Sequence, residues 1–532
     1  MRSETFDVVA RFVVMSPGVT RPGEQPAVHR WAKILDQTKC IGCHACSTAC
    51  KSENGVPLGV NRTYVKAVEV GTFPTVRRAY QVTRCNQCDD APCTTACPTR
   101  AMFRRPDGIV DFDKSICIGC KACIAACPYD AIFINPEDNS AEKCNLCSHR
   151  IDAGLEPACV TVCPTSAILV GDLDDPTSEV ARIVQRDVVA VRRPEKETHP
   201  KVFYKGAHQA TLDPLAARRP TGGLFMWSEQ GNVPHGVVSG HPGRANSSAA
   251  ALLAYDVPHR APWDWRVSLY TWTKGIAAGV YLVGLLLLVL GTISADSALW
   301  RWAVPLTATG FLAATGLVLI ADLSHPERFY LIFTRRQWQS WLVRGAFIIA
   351  GYGAVLAAHL ASSVVVGGGG GGGGELSGWL AVIGGPLAAM TAVYTAFLFA
   401  QAKARDLWQS PLLPPHLLVQ AGLAGSAVLL LLAPVVAVPR ATLSWTLLIA
   451  AVAHLLIVLG ELTLTHVTAH ARLAAHEMTH GRFRRYFWTS VVLVAAAVAA
   501  PWVPFAPPAL ALLGLLAFEH AHVQAGQAVP LA

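Results

Sequence analysis

Charged residues are scarce in this 532-residue chain, 15% against 52% hydrophobic. A soluble domain carries about a quarter charged residues, so a wholly soluble protein is excluded and a membrane portion is expected. The shortage is uneven. Residues 270–525 are a series of apolar runs, while residues 1–265 hold most of the charge and every cysteine. No G-x-G-x-x-G follows a strand-like run, and no flavin or pterin site is recognisable, so no substrate-reducing centre is expected on this chain. The start, MRSETFDVVARFVVMSPG, lacks a basic end followed by a sustained apolar core, and it has no twin-arginine pair. No secretory signal is therefore expected there. The net charge of +8 does not point to nucleic acid, because much of the basic excess lies in short loops between apolar runs.

What is present is sixteen cysteines in four sets of four. The first is Cys40, Cys43, Cys46 and Cys50, spaced C-x2-C-x2-C-x3-C. The second is Cys85, Cys88, Cys93 and Cys97, spaced C-x2-C-x4-C-x3-C-P. The third is Cys117, Cys120, Cys123 and Cys127, spaced C-x2-C-x2-C-x3-C-P. The fourth is Cys144, Cys147, Cys159 and Cys163, spaced C-x2-C-x11-C-x3-C-P. A disulfide framework would belong to a small secreted domain, which this chain does not resemble. A zinc site usually takes two close pairs, whereas three of these sets place three cysteines close together before a fourth. A triplet followed by a cysteine before proline is the ligand pattern of two-cluster ferredoxins. Four sets imply four 4Fe–4S clusters, a wire for single electrons. A wire needs a donor and an acceptor, so at least one end must be another subunit.

Residues 31–205 resemble the four-cluster electron-transfer subunits of molybdopterin oxidoreductases, such as the dimethyl sulfoxide, polysulfide and formate-linked complexes. The matching stretches are CIGCHACSTACKSENGVPLGVNRTYVK, CNQCDDAPCTTACP, CIGCKACIAACPYDAIF and KCNLCSHRIDAGLEPACVTVCP. The resemblance implies that the first and fourth sets share two clusters and the middle sets share two. The ligand groups would be Cys40, Cys43, Cys46 and Cys163; Cys144, Cys147, Cys159 and Cys50; Cys85, Cys88, Cys93 and Cys127; and Cys117, Cys120, Cys123 and Cys97. It also implies a molybdopterin-type catalytic partner.

Beyond Gly171, DPTSEVARIVQRD reads as a short amphipathic helix and THPKVFYKG as a closing strand. Residues 206–262, rich in Gly, Pro, Ser, Asn and His, read as an irregular linker. Apolar runs follow near 271–293, 303–322, 341–366, 376–400, 417–438, 443–466, 487–505 and 508–524. A span needs about 20 apolar residues, so about eight transmembrane helices are expected; the last two are short and interrupted by proline. The glycine run Gly367–Gly374 reads as an inter-helix turn without chemistry. The second, fourth and sixth loops hold ten Arg and Lys, and the odd-numbered loops two. By the positive-inside rule the basic side, which carries the head, faces the cytoplasm. The alternatives are that these arginines dock the head, and that the head faces the periplasm.

The second half resembles the NrfD-like quinone-reactive anchors (the polysulfide reductase membrane subunit). The matching segments are SLYTWTKGIAAGVYL, ADLSHPERFYLIFTRRQWQSWLVRGAF, AKARDLWQSPLLP and GELTLTH. Relatives usually carry the two parts on separate chains, so this chain looks like a natural fusion. Buried ionisable groups in a bilayer are costly and mark function. Tyr270, Lys274, Asp322, His325 and Glu461 are the candidates for quinone contact, with His466 near the same side. His359 and His454 raise a haem pair, but such anchors are generally haem-free, so haem is not expected.

The expected architecture is an α+β, ferredoxin-like polycluster head of tandem bacterial-ferredoxin repeats (1–205), a linker (206–262), and an all-α membrane bundle (263–532). The expected role is electron transfer between a catalytic partner and the quinone pool of the bacterial cytoplasmic membrane. A redox-driven proton translocator is the alternative.

Overall fold

The structure, a computed structural model, describes residues 29–219, 250–367 and 373–532. The start of the chain, most of the linker and the middle of the glycine run lie outside the described residues.

The head is built on two sheets. Strands β1 (Trp31–Asp36), β2 (Thr63–Val70), β3 (Arg77–Arg84), β4 (Ile168–Asp172), β5 (Val189–Ala190), β6 (Val202–Lys205) and β7 (Leu252–Tyr255) supply them. The first sheet has the order β4-β1-β6-β5, with β1 parallel to β6, and the second has the order β7-β2-β3. The cysteine segments fold between these strands. Helix α1 (Ala45–Asn54) carries Cys46 and Cys50 and stops at Gly55, whose positive φ turns the chain out. The two middle sets repeat one unit. Each has a five-residue helix, Pro92–Ala96 or Ala122–Ala126, followed by a short hairpin, Met102–Arg104 with Val110–Phe112 or Ile132–Ile134 with Ala141–Lys143. Helix α2 (Glu179–Arg186) and strand β6 form where the sequence placed a helix and a closing strand. Val180, Ala181 and Ile183 on one side of α2 are buried, as its amphipathic pattern requires.

The linker is less irregular than its composition suggested. Its segment Leu252–Tyr255 forms β7, which pairs antiparallel with β2. Leu253 packs with Val68 and Val70 there, so an apolar side chain within a polar stretch decides the local structure.

The body contains α3 (Trp265–Val289), α4 (Val304–Ala321), α5 (Trp341–Gly367), α6 (Gly373–Ala400), α7 (Leu413–Leu431), α8 (Arg440–Thr463), α9 (Ala469–Thr479), α10 (Arg484–Ala497) and α11 (Ala506–Gly526). A π-turn, Leu299–Ala303, leads into α4. The Asp264 side chain accepts from the Arg266 amide and starts α3 six residues before its apolar run. Six of these helices are long and apolar enough to cross a membrane: those starting at Trp265, Leu299, Trp341, Gly378, Leu413 and Arg440. The seventh expected run is only a 14-residue helix, α10. The eighth, α11, carries Glu519, His520 and His522 within its apolar stretch. Packing centres on the crossing of α3 and α7. A Cβ added at Gly279 would meet the Ala421 carbonyl oxygen at 1.9 Å, so only glycine lets the two backbones approach this closely.

Candidate metal centres and the membrane junction

In each cysteine set the residue two places after the first cysteine has a positive φ: Gly42, Gln87, Gly119 and Leu146. This left-handed residue curls the loop so that successive thiols face inward. At Gly42 and Gly119 it costs nothing. At Gln87 and Leu146 a non-glycine residue accepts it at about 1 kcal/mol. The three Cys-Pro corners share a second device. Arg100, Asp130 and Ser166, each three residues after the cysteine, also have positive φ. The chain then turns back, and the Met102 amide donates to Cys97 Sγ at 3.4 Å and the Ala167 amide to Cys163 Sγ at 3.3 Å. Proline, which cannot donate, leaves the thiol to the amide that follows the turn.

The thiols gather in quartets drawn from different sets. Cys97, Cys117, Cys120 and Cys123 line one small cavity. Cys85, Cys88, Cys93 and Cys127 line a second. Cys50, Cys144, Cys147 and Cys159 line a third. Cys40 lies among Cys43, Cys46 and Cys163. Among the described residues, no three His, Cys, Asp or Glu side chains close around a single metal ion.

Burial opposes thiolate formation, pushing Cys50 and Cys93 up to about 12 and Cys127 up to about 11. At Cys159 burial acts the same way but is outweighed. Lys33 Nζ at 3.3 Å and Arg84 Nη1 at 3.2 Å bring its thiol down to about 6. Arg84 is almost fully buried, and its Nε and Nη2 have no partner among the described residues. Unpaired buried cationic donors facing a ring of thiols fit a polyanionic iron–sulfur group.

Shared elements order the quartets. Cys43 is exposed. Cys50 and Cys163 are exchanged between the first two quartets. Gln87 donates to the Cys144 carbonyl, joining the second to the third. Cys97 and Cys127 are exchanged between the third and the fourth. The fourth lies on the membrane junction. Arg328 Nη1 donates to the carbonyls of Lys114 and Cys117 at 2.9 and 3.0 Å, and Trp263 Nε1 to the Cys120 carbonyl at 3.3 Å. Ser340 Oγ donates to the Ala96 carbonyl and the Gln337 amide to the Pro98 carbonyl.

The five quinone candidates divide. Asp322 and His325 belong to the docking surface. Lys121, next to Cys120, contacts Asp322 Oδ1 at 3.2 Å, and His325 Nε2 lies 2.8 Å from the Asp138 carbonyl. Tyr270 and Lys274 are buried in the body. Lys274 Nζ donates to the Ala392 carbonyl at 2.8 Å and to Thr395 Oγ1 at 2.6 Å, over the Tyr394 ring. Glu461 accepts from Ser410 Oγ at 3.3 Å, on the other side of the bundle. Of the loop arginines, Arg328 docks the head, whereas Arg405 is buried within the body, where it holds the carbonyls of Gln527 and Val529. His359 packs on Trp300 and Tyr281, whereas His454 lies 2.9 Å from His416, so the two histidines raised as a haem pair are in different neighbourhoods.

Glu519 was missed. It is buried on α11 and faces Thr271, Lys274 and Gln420. A carboxylate in the last apolar run is the same signal that singled out Glu461, so it was available in the sequence.

Residues 76–173 match the family described as 4Fe-4S dicluster domain, and residues 256–510 match polysulphide reductase, NrfD. A tetrathionate reductase subunit of Salmonella typhimurium is 42% identical over 205 residues, covering 38% of this chain and 81% of that protein. Protein NrfC of Escherichia coli is 42% identical over 177 residues, 33% of this chain and 79% of that protein. A polysulfide reductase chain of Wolinella succinogenes is 40% identical over 177 residues, 33% of this chain and 93% of that protein. This protein belongs to the family of these iron–sulfur reductase subunits, fused in one polypeptide to an NrfD-like membrane anchor.

Proposed function

We propose that this protein relays electrons through four 4Fe–4S clusters between a molybdopterin-type catalytic partner and membrane quinone. Each quartet would hold one cluster: Cys40, Cys43, Cys46 and Cys163; Cys50, Cys144, Cys147 and Cys159; Cys85, Cys88, Cys93 and Cys127; and Cys97, Cys117, Cys120 and Cys123. The bound clusters supply one-electron carriers. The residues around them hold the loops, exclude water and, through Lys33 and Arg84, stabilise negative charge near Cys159.

The observation that carries this reading is the position of the fourth quartet. It rests on the body through Arg328, Trp263 and Lys121, a few residues from the buried Tyr270 and Lys274. Quinone would approach this head-side part of the body, with Tyr270 and Lys274 as polar contacts and Asp322, His325 and Glu461 at its rim. The hairpin of α10 and α11 would make the bundle one of eight helices that begins and ends on the head side. Ten basic residues in the even loops, of which Arg328 is engaged in docking, support a cytoplasmic location for that side.

Iron analysis tests the first half. Anaerobically prepared protein is expected to hold about four irons per quartet with matching sulfide. Zinc, or far less iron, would overturn it. A Cys117→Ser variant is expected to keep most of that iron yet lose quinone-dependent oxidation of the reduced head.

A further inference from the structure

Lys274 and Glu519 are the inner end of a connected set of buried polar side chains. Glu519 faces Thr271 of α3 and Gln420 of α7. Gln420 Nε2 lies 3.4 Å from His416 Nε2, which lies 2.9 Å from His454 Nδ1 on α8. All are at most 4% exposed. His522 of α11, Tyr270 of α3 and Tyr394 of α6 are the other titratable groups facing this set; the His416, His454 and His522 rings all pack around Phe518. The outer end is at the head-side rim. His416 lies one turn inside α7, just after Ser410, and Ser410 donates to the half-buried Glu461. Glu461 is seven residues beyond His454 on α8, about 10 Å nearer the head.

Among the described residues, the set does not continue the other way. Toward the far side the same helices present Leu423, Ala427, Leu443, Leu447, Ala451 and Leu515, all within one apolar cluster. The polar groups deeper in the body stand apart from it. Tyr352 donates to the Ala277 carbonyl, Tyr281 to the Leu380 carbonyl, and His359 has no partner on either nitrogen among the described residues.

We propose that Glu461, His454, His416, Gln420 and Glu519 form a proton inlet joining head-side water to Lys274, and that it serves quinone chemistry from the head side only. The inference rests on the quinone reading above and deepens it. Electrons would arrive at the Asp322 side of the site through the docked head, and protons on the opposite side from Glu461. Water spans the step between Glu461 and the histidine pair. Each quinone takes two electrons from the reduced head and two protons through the inlet, and leaves as quinol. Separate entry keeps the fourth quartet dry while the carbonyl oxygens are protonated. No proton crosses the bilayer by this route, because the apolar cluster closes its far end.

The test uses the full chain in sealed liposomes with the head outside, reduced chemically and freed of excess reductant. A short-chain naphthoquinone is added while a membrane-impermeant pH dye reports on the bath or, trapped, on the lumen. The wild type is expected to take two protons per quinone from the bath and leave the lumen unchanged. Glu461→Gln and His454→Leu are expected to slow proton uptake and quinone reduction by about tenfold or more, with quinone affinity and iron content retained. Glu461→Asp, or a small weak acid added to E461Q, restores the rate. His359→Phe leaves it unchanged. A lumen that turns alkaline, a slowed His359→Phe variant, or E461Q running at the wild-type rate would overturn the inlet. If the wild-type protein does not reduce quinone at all, the quinone reading fails and the inlet with it.

Discussion

His259, between the linker strand and the first membrane helix, is fixed by two carboxylates. Its Nδ1 lies 2.5 Å from Asp130 and its Nε2 3.2 Å from Asp256, and all three residues are buried. Burial alone would lower its pKa, but the two carboxylates outweigh burial and raise it to about 9. A histidine raised this way stabilises the fold fully below its unfolded value of about 6.5, and loses that contribution as pH climbs through 9. The shift corresponds to about 3 kcal/mol. Asp130 and Asp256 are lowered, so their contribution is present at neutral pH and fades in acid, below about 4. Thermal unfolding in detergent should therefore be flat from about pH 5 to 6.5 and fall toward pH 9. His259→Gln should be about 2–3 kcal/mol less stable at pH 6 and close to wild type at pH 10; a variant with the same alkaline fall would show that His259 is not the group responsible. At this scale the sequence was legible where chemistry left a local pattern. Cysteine spacing marks the thiols because ligand loops are short. Glu519 carries the signal of a carboxylate in an apolar run, but Gln420 has no such pattern; it acquires meaning only when α3, α7 and α11 bring it between Glu519 and the histidine pair.

The helix crossing of α3 and α7 is the most demanding contact between elements. A Cβ at Gly425 would lie 2.2 Å from the Gly279 carbonyl oxygen, and backbone cannot yield as a flexible side chain can. Gly425→Val should cost about 3 kcal/mol or more by overpacking. The expected result is a body with a lowered unfolding temperature and poor yield, while the head keeps its iron. Unchanged unfolding of the body would show that the helices can slide apart freely. The helices themselves were legible from apolar length, because a bilayer-sized run has few other uses. Their ends were less so. The cap at Asp264 extends α3 into polar sequence, and the prolines after Ala497 stop α10 within an apolar run. Strand β7 was hidden for another reason: it is added to an existing edge, so its stability comes from β2 rather than from its own four residues.

For the whole molecule, the question is whether the linker or the docking surface holds head to body. The relatives matched over the head span about a third of this chain, so a head of this kind exists as a separate polypeptide. The contacts here do not depend on the linker. Arg328, Trp263, Gln337 and Ser340 bond main-chain groups of the cluster loops, Lys121 pairs with Asp322, and Arg192 of the head holds the Leu531 carbonyl. Lys196 of the head pairs with Asp406, which also accepts from Thr468. Buried hydrogen bonds from charged donors contribute about 1.5–3 kcal/mol each and are screened little by salt. A protease site placed between residues 230 and 240 and then cut should therefore leave the two fragments co-purifying in detergent, at low and at moderate salt, with the proposed electron transfer to quinone retained. Adding Arg328→Ala to the cut protein should weaken the association, because it removes two bonds to the loop that carries Cys117, while the uncut Arg328→Ala chain should stay joined but slower. If the fragments part as soon as the linker is cut, covalent fusion rather than surface complementarity is what keeps the fourth quartet against the membrane body.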